Sequence, residues 1–230
     1  MITEWGVDGH WESARTSWGR PIEPARAQKA EYHLLRYAND IVANGDRCIG
    51  SYVFLWGQKQ ERTPTWSSML LKGLPGMDNG GVSSPAVDVM HFNWTGRWPV
   101  NRAPLVFDMF INDVPAEGDI VLSPGEPMVS RVAAGDPEGD HLSFIWELLV
   151  EPEILGVGGA FEPRPKRLAS ARRNNLPVLS LRAPLTPAAY RLYVYVLDHN
   201  GHAGTANVPF RVRRPLNQEV HSGQRAPGPG

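Results

Sequence analysis

Along the first 99 residues the apolar positions come in short unbroken runs or at helical spacing, and from Pro104 onward they alternate with polar ones. ITEW at the start predicts a short strand, and the polar, Gly-containing stretch through Pro24 predicts a long loop. Ala27, Ala30, Leu34, Ala38, Ile41 and Val42 then fall on one helical face. Pro24 suits the first turn of that helix, and Gly45 suits a left-handed stop. CIGSYVFLWG is apolar almost throughout, the pattern of a parallel strand buried on both faces. Strand, helix and strand make a βαβ unit. After a loop rich in Gly and Pro, Ser84 followed by Pro85 predicts the start of a second helix in SPAVDVMHFNWTG.

The second rhythm belongs to a different kind of structure. IVLSPGEPMVSRVAAGDPEGDHLSFIWELL and LPVLSLRAPLTPAAYRLYVYVLDHNGHAGTANVPFRVR alternate over short runs broken by Pro-Gly, Glu-Gly and Asn-Gly turns. In the last of these runs Tyr190, Leu192, Val194 and Val196 share one face, with Arg191, Tyr193 and Tyr195 on the other. Six or seven such strands predict a β-sandwich. The expected division is therefore α/β plus all-β: 1–99 for the first part, 100–103 as a proline-flanked linker, 104–213 for the sandwich. Residues 214–230, polar and rich in Pro and Gly, are expected to be a disordered tail.

Composition narrows the function more than it names it. A formal net charge of −1 gives no electrostatic reason to expect nucleic acid as a partner. No run is long and apolar enough to span a bilayer, and the N-terminus lacks the pattern of a signal peptide. Localisation is thus unassigned; it would be extracellular or periplasmic if a parent protein carried a signal. Cys48 is the only cysteine, which removes an intramolecular disulfide and a thiolate metal cluster. Seven of the eight tryptophans precede residue 100, so aromatic surface is concentrated in the first part.

ITEWG, a Trp-rich loop and helix, and then GSYVFLWGQKQERTPTW resemble strands seven and eight of the (β/α)8 barrel in clan A glycoside hydrolases, in the manner of family 2. DPEGDHLSFIWELL and YVLDHNGHAG in the second part resemble Ig-like modules of the PKD and cadherin-like kind. The resemblance implies a partial (β/α)8 barrel segment followed by an Ig-like β-sandwich. It also implies that Glu4 is the catalytic nucleophile at the end of strand seven and that Trp56 floors a sugar subsite. The general acid/base of that clan lies at the end of strand four, for which there is no counterpart here. The chain is therefore expected to be inactive alone, with a polysaccharide or oligosaccharide as partner and the missing N-terminal barrel segment as a second one.

A retaining glycosidase needs two carboxyl groups about 5–5.5 Å apart, one to attack the anomeric carbon and one to protonate the leaving oxygen. Glu4 supplies the first; Glu12 and Glu61 are the nearest alternatives for the second. Trp5, His10, Trp11, Trp56, Gln58 and Lys59 offer aromatic faces and hydrogen-bonding groups suited to a sugar's apolar face and hydroxyl edge. His10 has no second ligand at metal spacing, so no metal is expected there. Asp136, Asp140 and Asp198 resemble the acidic turns that hold Ca²⁺ in cadherin-like repeats, whereas DPEGD by its own chemistry favours an ordinary β-turn. The alternative function is a non-catalytic Ig-like binding, adhesion or spacer module. PRPKRLASARR carries five basic residues without interleaved aromatics and reads as a solvated loop.

Overall fold

The computed structural model describes residues 1–74, 81–152, 161–168 and 172–214; the expected tail, 215–230, lies outside them. Strand β1 (Ile2–Trp5) and strand β2 (Ser51–Val53) pair in parallel, with Ile2 opposite Ser51 and Trp5 opposite Val53. Helix α1 (Arg26–Arg36) connects them, so the βαβ unit forms. It does not grow into the expected partial (β/α)8 barrel. Among the described residues the parallel sheet has two strands, no barrel closes, and the molecule is mainly antiparallel β-structure with two α-helices.

Several local expectations are corrected with it. Pro24 lies before the helix, whose N-cap is Ala25. The helix runs on as a π-turn at Tyr37–Ile41 and a 3-10 turn at Val42–Asn44, and Gly45 has a right-handed φ of −59°. The face turned inward is Arg26, Lys29, Ala30 and His33, one position round from the predicted apolar stripe. The apolar run at 48–57 yields only three strand residues, with Ile49 90% and Tyr52 63% exposed. After Val53 the chain leaves the extended path, since the Gly57 amide turns back to the Leu55 carbonyl at 2.8 Å.

Strands β3 (Leu70–Leu71) and β4 (Val82–Ser83) form a short antiparallel pair leading into α2 (Pro85–Thr95). As predicted, Ser84 is the extended N-cap and Pro85 opens the helix; Gly96, at φ 71°, closes it. The Ser84 hydroxyl nevertheless makes no capping bond.

The rest of the chain builds two sheets around one core. The strands are β5 (Leu105–Ile111), β6 (Val114–Pro115), β7 (Val121–Leu122), β8 (Pro127–Gly135), β9 (Ser143–Val150), β10 (Arg172–Asn174), β11 (Val178–Arg182), β12 (Ala188–Leu197) and β13 (Ala203–Val212). One sheet has the order β10-β9-β12-β13-β7 and the other β11-β8-β5-β6. All pairings are antiparallel except β13 with β7. Val106, Met109, Met128 and Leu179 of one sheet meet Trp146, Leu192, Val194, Val208 and Phe210 of the other. Each such fully buried side chain contributes about 1.5–3 kcal/mol.

The outer face of β12 is covered too. Tyr193, Tyr195 and Leu197 pack with Leu71, Leu74 and Val82 of the first part. The predicted alternation holds, but both faces are dry: one against the second sheet, the other against the N-terminal residues. Residues 100–103, expected as a linker, are tied down. Asn101 donates to Asp198 at 2.8 Å, Arg102 donates to Glu138 through its amide and its Nε, and the Ala103 amide donates to Asp88 at 2.7 Å.

A buried polar cluster joins the two parts. The Glu23 carboxylate accepts bonds from Lys29, from the Thr63 hydroxyl and from Asn207 Nδ2 of β13 (2.7 Å). Lys29 also donates to the carbonyls of Thr65 (2.8 Å) and Trp66 (3.0 Å). Arg191 of β12 bonds Glu151, Asn207 and the Pro21 carbonyl. The basic loop is likewise less solvated than expected, since Arg164 and Arg167 both pair with the fully buried carboxylate of Glu147, which also accepts from the Tyr195 hydroxyl at 3.0 Å.

Candidate functional site

Where β1 and β2 end, the chain opens a cleft of about 830 Å³. Glu4 and Trp5 reach it from β1, and Gly6 through Glu12 form one wall. A Cβ on Gly6 would collide with the carbonyl of Phe54, so this crossing of the two strand ends requires glycine. Arg36 at the end of α1 braces the wall by donating to the Gly6 carbonyl and pairing with Asp8. From the opposite side come Phe54, Lys59, Glu61, Arg62 and Trp66, and Glu162 arrives from the loop after β9.

Trp5 and Trp66 are fixed, and Trp11 is free. Trp5 packs with its ring centre 5.8 Å from those of both His33 and Tyr37. Trp66 is 1% exposed, and its indole N–H donates to the Asp8 carbonyl at 2.9 Å, pinning the loop. Trp11, 64% exposed, meets His10 edge to face with centres 5.0 Å apart. The resulting wall is an aromatic surface with one face available to a ligand.

The charges are mostly committed to one another. Lys59 pairs with Glu61 at 3.3 Å, Arg36 with Asp8, and Arg62 lies 3.9 Å from Glu162, which also accepts from the Arg62 amide at 2.7 Å. Glu12 accepts from the Gly9 amide at 3.0 Å, a turn within its own loop. The exposed Glu4 carboxylate, by contrast, has no hydrogen-bond or ion-pair partner among the described residues. Burial, then the positive charge of Arg62, pushes His10 below the ordinary histidine range. It therefore stays neutral near pH 7 and accepts a 3.4 Å bond from Arg62 Nε at its Nδ1.

Five of the seven site residues expected from the sequence meet here: Glu4, Trp5, His10, Trp11 and Lys59. Trp56 and Gln58 do not. The turn at Leu55–Gly57 swings Trp56 outward, where it lies 5.7 Å from Trp94 of α2, and Phe54 takes the place in the cleft. Gln58 instead accepts from the Lys72 amide at 2.6 Å. The sequence reading missed Trp66, Arg62, Arg36 and Glu162. Glu162 stands 100 residues beyond Arg62, a separation at which no local pattern connects them.

At the other end of the molecule, carboxylate oxygens of Asp136, Asp140 and Asp198 lie within 4.8 Å of one another. Asp198 is filled by donors already: the Asn200 and His202 amides, Asn101 Nδ2 and His202 Nδ1. Asp136 accepts from the amides of Glu138 and Asp140, and Asp140 from Asn200. These bonds brace the two turns against each other, while Asp136 Oδ2 is buried with no hydrogen-bond partner among the described residues.

The sequence matches no protein-family model and no curated protein. Among solved structures it is similar to the soluble domain of PmoD from Methylocystis sp. ATCC 49242 (Rockwell). Identity there is 13% over 51% of this chain and 95% of that one, with a TM-score of 0.29. The extracellular domain of a one-component system protein from B. thetaiotaomicron matches at 12% identity, over 55% of this chain and 17% of that one, with a TM-score of 0.26. Likenesses of this degree identify no fold and no site.

Proposed function

We propose that the cleft binds a β-linked glycan and that Glu4 is the nucleophile of a retaining glycoside hydrolase to which this chain contributes one side of the active site. The observation that carries the reading is the unpartnered Glu4 carboxylate, at the C-terminal end of a parallel strand, opening on a cleft walled by Trp5, Trp11 and Trp66. Parallel αβ units place their chemistry at the carboxyl ends of strands. A carboxylate left free of partners keeps its lone pairs for an electrophile. In that role a Glu4 oxygen attacks the anomeric carbon, the bond to the leaving oxygen breaks, and water later releases the sugar with net retention. The open face of Trp11 suits the apolar face of a pyranose ring.

Protonation of the leaving group is the weaker half. Glu61 and Glu162 share the cleft but are engaged with Lys59 and Arg62, and no fourth parallel strand is present among the described residues to supply the usual partner. The chain alone is therefore expected to turn over ordinary glycosides too slowly to detect. The further Ig-like assignment of the sandwich belongs to the same proposal, resting on its two sheets and the DPEGD and DHNGHAG turns.

The test separates nucleophile from acid. A 2,4-dinitrophenyl 2-deoxy-2-fluoro-β-glycoside carries a leaving group that departs as its anion without protonation, so attack by Glu4 alone would leave a covalent sugar on the chain. The expected result is a mass increase of one fluorosugar, mapped by peptide analysis to residues 1–15 and absent in Glu4→Gln. Glycan binding without any adduct, unchanged in Glu4→Gln, would instead favour the non-catalytic binding module. The lack of a committed acid in the cleft is the observation that keeps that second reading alive.

A further inference from the structure

A second concavity, of about 320 Å³, lies where the loop after β1 crosses the ends of β12 and β13, away from the cleft. Its lining is Trp18, Arg20, Pro187, Ala188, Ala189, Arg211, Val212 and Arg213, and it includes no carboxylate. Arg211 on β13 and Arg213 just past its end are both exposed, with the Val212 side chain turned into the core between them. Two residues along a strand put their Cα atoms about 6.7 Å apart, close enough for two long guanidinium side chains to converge on one group. In the register, Ala189 stands opposite Arg211 and Ala188 opposite Val212. Small residues there leave the hollow open.

Arg20, which donates to the Pro152 carbonyl at 3.1 Å, brings a third guanidinium to the rim. Neither Arg211 nor Arg213 has an ion pair or a side-chain hydrogen bond among the described residues, whereas Arg164, Arg167 and Arg191 all have carboxylate partners. Trp18 lines the hollow as well, and its indole N–H, itself buried, has no acceptor among the described residues. An indole N–H can only donate. The lining residues thus bring three cations and no side-chain acid to the hollow.

We infer that the hollow formed by Trp18, Arg20, Arg211 and Arg213 binds a tetrahedral oxyanion, the phosphate or sulfate group of a larger molecule. A single carboxylate offers only two oxygens to three guanidiniums, whereas a phosphate or sulfate ester offers three. A phosphate brings about −1.5 to −2 charges and three free oxygens, and Arg forks pair with it two bonds at a time. The hollow is independent of the cleft and of any role for Glu4.

The test follows the indole N–H resonance of Trp18, assigned with Trp18→Phe, in the intact chain by two-dimensional NMR. Inorganic phosphate and inorganic sulfate are added separately at ionic strength held constant with sodium chloride. The expected result is a saturable shift with a dissociation constant of about 1 mM or tighter, weakened roughly tenfold or more in Arg211→Ala/Arg213→Ala. The exposed Arg182→Ala on β11 should leave it unchanged. A phosphate shift far tighter than the sulfate one identifies a phosphate ester as the ligand, and the reverse identifies a sulfate ester. The inference is overturned if neither anion gives a saturable shift up to about 20 mM, or if the double variant responds as the native chain does.

Discussion

Replacing Lys29 by Met tests the polar cluster that joins the two parts of the chain. The Lys29 and Glu23 side chains are each 1% exposed. Burial pushes the Glu23 carboxyl up, but the charge and hydrogen bond of Lys29, helped by Thr63 and Arg191, bring it down to about 2. Its folded value is below the 4.5 of an ordinary glutamate, so its contribution is fully present above pH 4.5 and is lost as pH falls toward 2. The size of that contribution is roughly 3 kcal/mol. Without Lys29 the burial remains and the main compensation is gone. Removing one partner of a buried pair costs about 3–5 kcal/mol, a large part of a total stability of about 5–15 kcal/mol. For a chain of this size that lowers the melting temperature by about 10 °C. In the variant, the Glu23 carboxyl titrates above its unfolded value, so acid now helps: stability rises as pH falls from 8 to 5, and the gap to the native chain narrows. Urea unfolding followed by circular dichroism at pH 5 and pH 8 measures both effects. Glu23→Gln/Lys29→Met, which removes both charges of the pair, is expected to lose less than Lys29→Met alone. A loss below about 1 kcal/mol, or an equal gap at the two pH values, would refute the reasoning.

Three further outcomes are expected. Burial holds the His33 imidazole down at about 4, with Nδ1 bonded to the Lys29 carbonyl at 2.8 Å and Nε2 without a partner; stability should therefore fall as pH drops from 6.5 to 4, and His33→Leu should flatten that stretch of the unfolding profile. Burial raises Asp88 to about 6 in spite of the bond from the Ala103 amide, so its ionised form costs stability as pH rises through 6. Asp88→Asn keeps an acceptor for that amide and is expected to add about 1–2 kcal/mol at pH 7.5, read from the melting temperature. Asp198→Ala removes the acceptor of two amides, Asn101 and His202 and should cost about 2–4 kcal/mol, while calcium at millimolar concentration leaves the melting curve of the native chain in place. A rise in melting temperature on adding calcium, reversed by chelator, would make the three carboxylates a cation site.

What the sequence revealed and what it concealed divide along a physical line. Apolar periodicity found the βαβ unit, the start of α2 at Ser84 and Pro85, and the alternation of β12, because each is set by a local pattern of burial. It misplaced the inner face of α1, because that face is Arg26, Lys29 and His33, residues that periodicity counts as solvent-facing. The site shows the same division. Glu4, Trp5, His10 and Trp11 sit together in a single strand end and its loop, so nearness in sequence was enough to group them. Trp66 and Glu162 enter through long-range packing, and Trp56 leaves through one turn at Gly57 that an apolar run does not announce.

The charged groups missed in α1 also explain how the first part is seated on the sandwich. Arg26 and Glu23 can be buried only where partners already wait: Thr205 and Asn207, which bond them, belong to β13, and the positive charge of Arg191 on β12 favours the Glu23 carboxylate. An apolar seam tolerates sliding and substitution, but a seam of paired charges and directed bonds is satisfied in one arrangement. The first part is thus held in register on the outer face of the β9–β12–β13 sheet, where Tyr193 and Tyr195 also need its cover. Glu162, carried by the loop after β9, reaches the Arg62 amide only because of that register. The cleft is consequently a property of both parts: β1 provides its free carboxylate, and the docking of the sandwich completes its far wall.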